Sequence, residues 1–92
     1  MILVFDNRFV SEVHNDQEIG RSLKMFINRQ GYTKCRVISS KNEVIFDLED
    51  DILLTAMEPN PELQYSIMGF DGTVISNNLK FINSKYMLTE LT

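Results

Sequence analysis

Four apolar residues, Ile19, Leu23, Phe26 and Ile27, recur at i, i+4, i+7 and i+8 between Asn15 and Gly31, and this stripe constrains the fold more than any other feature. A helix with one apolar stripe has to bury it against a second element. Both ends of the helix are marked in the sequence. Asn15 can cap the first turn, Glu18 stands three residues on where a capping-box carboxylate reaches back, and Asp16 and Glu18 suit the positive end of the dipole. Gly31 supplies a left-handed stop. Arg21, Lys24 and Arg29 lie off the stripe, so the helix predicted over Asn15 to Gln30 shows a basic outer face.

The rest of the chain offers the surface for that stripe. Met1 to Phe5 reads as a buried strand running into a polar turn at Asp6-Asn7-Arg8. Thr33 to Ile38 reads as a strand, Ser39-Ser40-Lys41-Asn42 as a turn, and Glu43 to Phe46 as the returning strand. Asp47-Leu48-Glu49-Asp50-Asp51 then reads as the acidic first turn of a short helix, with Leu48, Ile52, Leu53 and Met57 inward and Pro59 and Pro61 as its stop. Leu63 to Phe70, Asp71-Gly72 and Thr73 to Ser76 form a hairpin signal, because Asp-Gly readily takes the positive φ angles of a type I′ turn. Leu79 to Leu91 is ambiguous between strand and short helix, and strand is favoured.

The order β-α-β-β-α-β-β-β, joined by hairpins, predicts the α+β class: a single small domain over 1–92, mostly antiparallel sheet, with one long and one short helix. Ninety-two residues hold one core. A hydrophobic content of 43% with nine Ile and six Phe belongs to a folded chain. Cys35 is the single cysteine and sits in an apolar strand-like run, which suits a reducing compartment. The opening apolar run has no basic leader, is five residues long and meets Asp6 and Arg8, and no run approaches the roughly 18 apolar residues of a membrane span. A soluble, cytoplasmic protein is expected.

Catalytic chemistry finds no foothold in this sequence. His14 is the single histidine, so sites built on several imidazoles are excluded, and Cys35 alone cannot make a structural zinc site. A nucleophilic pair would need Cys35 and His14 to meet, whereas a buried strand cysteine and a surface histidine is the simpler reading. Gly20, Gly31, Gly69 and Gly72 match neither the P-loop nor the dinucleotide spacing. Asp47, Glu49, Asp51 and Glu58 fall at positions 1, 3, 5 and 12 of a calcium loop, but Ile52 occupies the glycine position and Leu53, Leu54, Ala56 and Met57 fill the interior. A glycosidase pair would need a sugar cleft that so short a chain without Trp is poorly equipped to build. Arg21, Lys24, Arg29, Lys34 and Arg36 are spread without interleaved aromatics, and a pI near 4.8 repels phosphate. No enzyme, metal, cofactor or direct nucleic-acid role is expected.

What remains is charge. From Asn42 to Leu79 the chain runs for 38 residues with eight carboxylates, Glu43, Asp47, Glu49, Asp50, Asp51, Glu58, Glu62 and Asp71, and no Lys, Arg or His. The flanking stretches 1–41 and 80–92 carry +3 and +1. Most charge runs are solvated surface, but these acids recur across several elements with apolar residues between them to hold them on a folded face. Such a face draws cationic surfaces. Duplex DNA carries about one charge per 1.7 Å of axis, and an anionic face, doubled by a symmetric homodimer, can copy part of that line. The eight acids are the predicted partner-binding residues. A small adaptor or regulatory protein that binds a basic protein surface without imitating DNA is the alternative.

Across its whole length, from MILVFDNRFVSEVHNDQEIG through VIFDLEDDILLTAMEPNPELQYSIMGFDG, the chain resembles the anti-restriction nuclease (Arn) family of T-even phages. The resemblance implies a small early phage protein in the bacterial host cytoplasm that mimics DNA as a homodimer and inhibits the host endonuclease McrBC, which attacks DNA with modified cytosine. It also implies an interaction with the nucleoid protein H-NS. A net charge of −4 is modest for a DNA mimic, so this reading requires the basic helix face to be turned away or neutralised.

Overall fold

The computed structural model describes residues 1–6 and 9–82. Among these residues seven strands and one helix follow in the order β1 (Ile2–Phe5), β2 (Phe9–Glu12), α1 (Asp16–Arg29), β3 (Lys34–Ser39), β4 (Val44–Glu49), β5 (Ile52–Ala56), β6 (Tyr65–Met68) and β7 (Val74–Ile82). All strands join one antiparallel sheet in the order β2-β1-β7-β6-β3-β4-β5. The mostly-sheet α+β class is therefore observed. Of the ambiguous Leu79 to Leu91 segment, Leu79 to Ile82 finish β7; the remainder, like Asn7 and Arg8 of the expected first turn, lies outside the described residues.

The helix forms where its caps place it. The Asn15 side chain accepts the Glu18 N–H at 3.0 Å. The Glu18 carboxylate accepts the N–H of His14 at 2.6 Å, one residue before the position a capping box uses. At the far end Tyr32 N–H reaches Ile27 O and Gly31 N–H reaches Asn28 O, the paired bonds of a Schellman stop, with Gly31 at φ 88°. Ile19, Leu23, Phe26 and Ile27 are all buried. Phe26 stacks on Phe5 of β1 with ring centroids 4.6 Å apart. Phe81 of β7 extends the core between Phe46 (6.1 Å) and an edge-on Tyr65 (4.9 Å). Burial of Tyr65 is tolerated because its hydroxyl accepts Asn60 N–H and donates to Asn60 O.

Two sequence expectations fail here. The short helix expected from Asp47 is instead the hairpin β4–β5, closed by the two-residue turn Asp50-Asp51 with Asp50 at φ 51°. Period two continues through Glu49: Phe46 and Leu48 point to the core while Asp47 and Glu49 point away. Of the four residues expected to face inward, Leu48 and Leu53 do so as cross-strand partners, whereas Ile52 and Met57 are exposed. The second difference is β2, a strand that the sequence pattern does not announce; it pairs with β1 and ties to the helix through a Ser11–Ser22 hydroxyl contact of 2.7 Å.

The expected turns at Ser39–Asn42 and Asp71-Gly72 are present, and both use the same device. In each, one left-handed residue, Asn42 (φ 63°) or Gly72 (φ 88°), ends a three-residue loop. Asp71-Gly72 is thus not a two-residue type I′ turn: Gly72 N–H returns to Gly69 O and Gly69 N–H to Thr73 O, and only Gly72 of the two has positive φ.

Candidate functional site

Antiparallel pairing decides where the eight acids go. The strands β3, β5 and β7 run one way, and β4 and β6 the other. Glu43 in the β3–β4 turn, Glu58 after β5 and Glu62 before β6 therefore collect at one end of the sheet. Asp50 and Asp51 in the β4–β5 turn and Asp71 in the β6–β7 turn collect at the other. The rims are separated by the length of β4, roughly 20 Å at about 3.3 Å per residue. Asp47 and Glu49 lie between them, on the sheet face away from the core.

Three of these acids meet bases that the sequence places far from them. Cross-strand pairing sets Lys34 opposite Glu49, with Nζ to Oε1 at 3.0 Å, and Arg36 opposite Asp47, with Nε to Oδ1 at 3.5 Å. Lys24 of α1 pairs with Asp51 across the gap between helix and β5. The Glu49 carboxylate, by hydrogen bond and by charge, raises the pKa of Lys34 above the ordinary lysine value. Arg36 also lies over the Phe70 ring at 4.7 Å, and the buried Oδ1 of Asp47 gains only its charge, with no hydrogen bond among the described residues. All three pairs are solvent-accessible, so each contributes about 0–1 kcal/mol. Their larger effect is on the field, because they neutralise Asp47, Glu49 and Asp51 locally.

Glu43, Asp50, Glu58, Glu62 and Asp71 remain exposed and make no ion pair among the described residues. Asp71 is anchored in its own turn, accepting the Thr73 N–H at 2.9 Å, and that bond holds its carboxyl below the ordinary aspartate range. The calcium-like spacing of Asp47, Glu49, Asp51 and Glu58 is stretched over two strands and a turn. No group of three metal-ligating side chains occurs among the described residues. Cys35 is fully buried in β3, its thiol pushed up to about 12, first by burial and then by the Asp47 charge; His14 is exposed.

One surface was missed by sequence reasoning. Beside the edge strand β5, a groove of about 670 Å³ opens between β5 and α1, floored by Gly20, Met25, Leu48 and Leu53 and rimmed by Arg21 and Lys24. Along β5 itself, Ile52 (61% exposed), Leu54 (51%) and Met57 (54%) face outward. The available signal was Asp50, since Asp is among the few residues that accept the left-handed conformation a tight turn needs. Among the described residues no helix is long and apolar enough to cross a membrane. No protein family, no curated protein and no solved structure matches this chain.

Proposed function

We propose that this protein is a non-enzymatic, anionic inhibitor that occupies the DNA-binding cleft of a host restriction endonuclease of the McrBC type, protecting phage DNA in the bacterial cytoplasm. Carboxylates take the place of phosphates against Lys and Arg, and access to DNA is blocked without any reaction of the inhibitor. The observation that carries the reading is the placement of Glu43, Glu58 and Glu62 on one rim and Asp50 and Asp71 on the other, all exposed and none in an ion pair among the described residues. The basic helix face is partly neutralised as the reading requires, since Lys24 is held by Asp51. Magnitude argues for a homodimer as the acting form: about 20 Å of duplex carries about twelve phosphate charges, well above five unpaired carboxylates on one chain. The nucleoid protein H-NS, another basic DNA-binding protein, is a second partner of the same kind.

The adaptor reading draws on a specific observation too, the local neutralisation of Asp47, Glu49 and Asp51, which leaves a surface less dense in charge than DNA. Competition separates the two. Under mimicry, duplex DNA and this protein exclude one another from the nuclease; simultaneous binding of both refutes it. Changing Glu43, Glu58 and Glu62 to Gln and Asp50 to Asn removes four exposed contacts of about 0.5–1 kcal/mol each, weakening inhibition by about 30- to 1,000-fold. Salt acts in the same direction, with exposed charges screened beyond about 8–10 Å. Neutralising Arg21 leaves binding unchanged or stronger. Loss of binding on neutralising Arg21, with the acid variants silent, ends the anionic reading.

A further inference from the structure

The outer edge of β5 carries a second kind of information besides charge. It is one of the two ends of the sheet, and no strand pairs with its outer side among the described residues. An open edge presents a row of backbone donors and acceptors, which folded proteins usually blunt with Lys, Pro, a bulge or a covering segment. Between Asp50 and Glu58 there is neither Lys nor Pro. A bulge is present, with Leu54 as the extra residue opposite Asp47 and Leu48, but it bends the strand at that one position and leaves Ile52–Leu53 and Thr55–Ala56 in regular pairing with β4. Exposed apolar side chains line the strand instead: Ile52, Leu54 and, just beyond it, Met57. An acid that makes no ion pair among the described residues stands close to each end, Asp50 before the strand and Glu58 after it, with Lys34 near the first and His14 near the second. Of the cations near this end, Lys24 is held by Asp51 and Lys34, on which the Asp50 charge also acts, is held by Glu49, while Arg21 lines the groove from α1.

We propose that β5 is a docking edge that accepts an extended partner segment with an apolar centre and Lys or Arg at both ends, added as a further antiparallel strand. The backbone ladder supplies affinity, Ile52, Leu54 and Met57 supply apolar contact, and Asp50 and Glu58 select the basic flanks. This rests on the reading of the partner as a basic protein and deepens it by naming what in that protein is gripped. Charge decides against a second copy as the occupant. In the register that overlaps all of Ile52–Ala56 in two copies, Asp50 of each faces Glu58 of the other, and like charges directly opposite destabilise a strand pair. A basic-flanked strand turns both of those positions into attractive ones.

The probe is a synthetic peptide, Lys-Lys-Thr-Val-Thr-Ile-Thr-Val-Lys-Lys, compared with the same centre flanked by Glu. Titration of the intact protein followed by amide hydrogen exchange is expected to slow exchange tenfold or more within 52–56. The Lys-flanked peptide is expected to bind at least tenfold tighter than the Glu-flanked one. Leu54→Asp discriminates the mechanism: attraction by charge alone predicts tighter binding of the basic peptide, whereas strand docking predicts binding weaker by tenfold or more. If Leu54→Asp perturbs the fold, as judged by circular dichroism, Ile52→Thr takes its place with the same expected loss. Equal affinity for the two peptides, unchanged exchange within 52–56, or tighter binding by Leu54→Asp overturns the proposal. So does a solution dimer that Leu54→Asp dissociates, since the edge then belongs to a second copy; a dimer formed elsewhere on the molecule leaves the edge free and supports it. The inhibitor reading fails separately: peptide docking together with simultaneous binding of DNA and this protein to the nuclease sinks mimicry alone. Full inhibition by Leu54→Asp alongside its loss in the acid variants sinks strand docking alone.

Discussion

Replacing Gly20 with Ala tests the packing of the helix against β5. Gly20 lies in the first half of α1, is buried, and faces β5, where an added Cβ would sit 3.9 Å from Leu53 Cβ and 4.0 Å from its Cδ2. These are ordinary van der Waals contacts, so the methyl enters without displacing anything. Glycine in a helix interior is about 0.8–1.0 kcal/mol less favourable than alanine, partly because it leaves the unfolded chain more freedom to lose. Covering about 20 Å² of apolar surface at about 25 cal/mol per Å² adds roughly 0.5 kcal/mol. The expected gain is about 1–1.5 kcal/mol, which for a domain of this size raises Tm by at least about 4–8 °C. Thermal and urea unfolding followed by circular dichroism measure it, with an unchanged m-value confirming that the surface exposed on unfolding is the same. Gly31→Ala is the internal control: its φ of 88° with no neighbour within 4 Å leaves only backbone strain, a loss of about 1–2 kcal/mol. A drop in Tm for Gly20→Ala would mean that helix and β5 approach more closely than described, and the groove between them would have to be abandoned.

Two further outcomes follow from the core. Phe26→Ala removes the ring stacked on Phe5 and is expected to cost about 3–5 kcal/mol, read as a lower denaturant midpoint; an unchanged midpoint would show that the helix stripe is not core. Cys35 is expected to resist alkylation by iodoacetamide at pH 8 until the protein unfolds. Its pKa of about 12 lies above the ordinary value near 9, so the native thiol holds its proton where the unfolded one has lost it. Stability from this group is complete below about pH 9 and falls as pH rises towards 12, and Cys35→Ser removes that part of the slope. Rapid alkylation of the folded protein at pH 8 would contradict the burial.

The parts of the fold legible in the sequence are those decided within a few residues. Asn15, Glu18 and Gly31 act on neighbouring backbone groups, and the stripe from Ile19 to Ile27 is a property of one helix, so α1 emerges almost as predicted. The turns at Asn42 and Gly72 are equally local, because each needs only one residue that tolerates positive φ. Residues 47–57 are not legible locally, because Leu48 and Leu53 fit a helical spacing as well as a hairpin pair, and short apolar runs satisfy both periods. The choice was made by contacts distant in sequence: Leu48 pairs with Cys35 of β3, Asp50 N–H donates to Thr33 O, and Leu53 packs beside Gly20.

Charge divides in the same way. The sequence by itself determined that eight carboxylates fall between Asn42 and Leu79 with no base among them, and that the chain is acidic overall. Tertiary structure alone decided that these acids do not form one continuous face. Each hairpin reverses the chain, so acids in successive turns are sent to opposite rims, and the same reversals bring Lys34 and Arg36 of β3 directly across from Glu49 and Asp47. Proximity along a chain becomes proximity in space only within a few residues; beyond one strand length, the pairing partner of each strand decides which charges meet, and that partner is chosen by burial of the core.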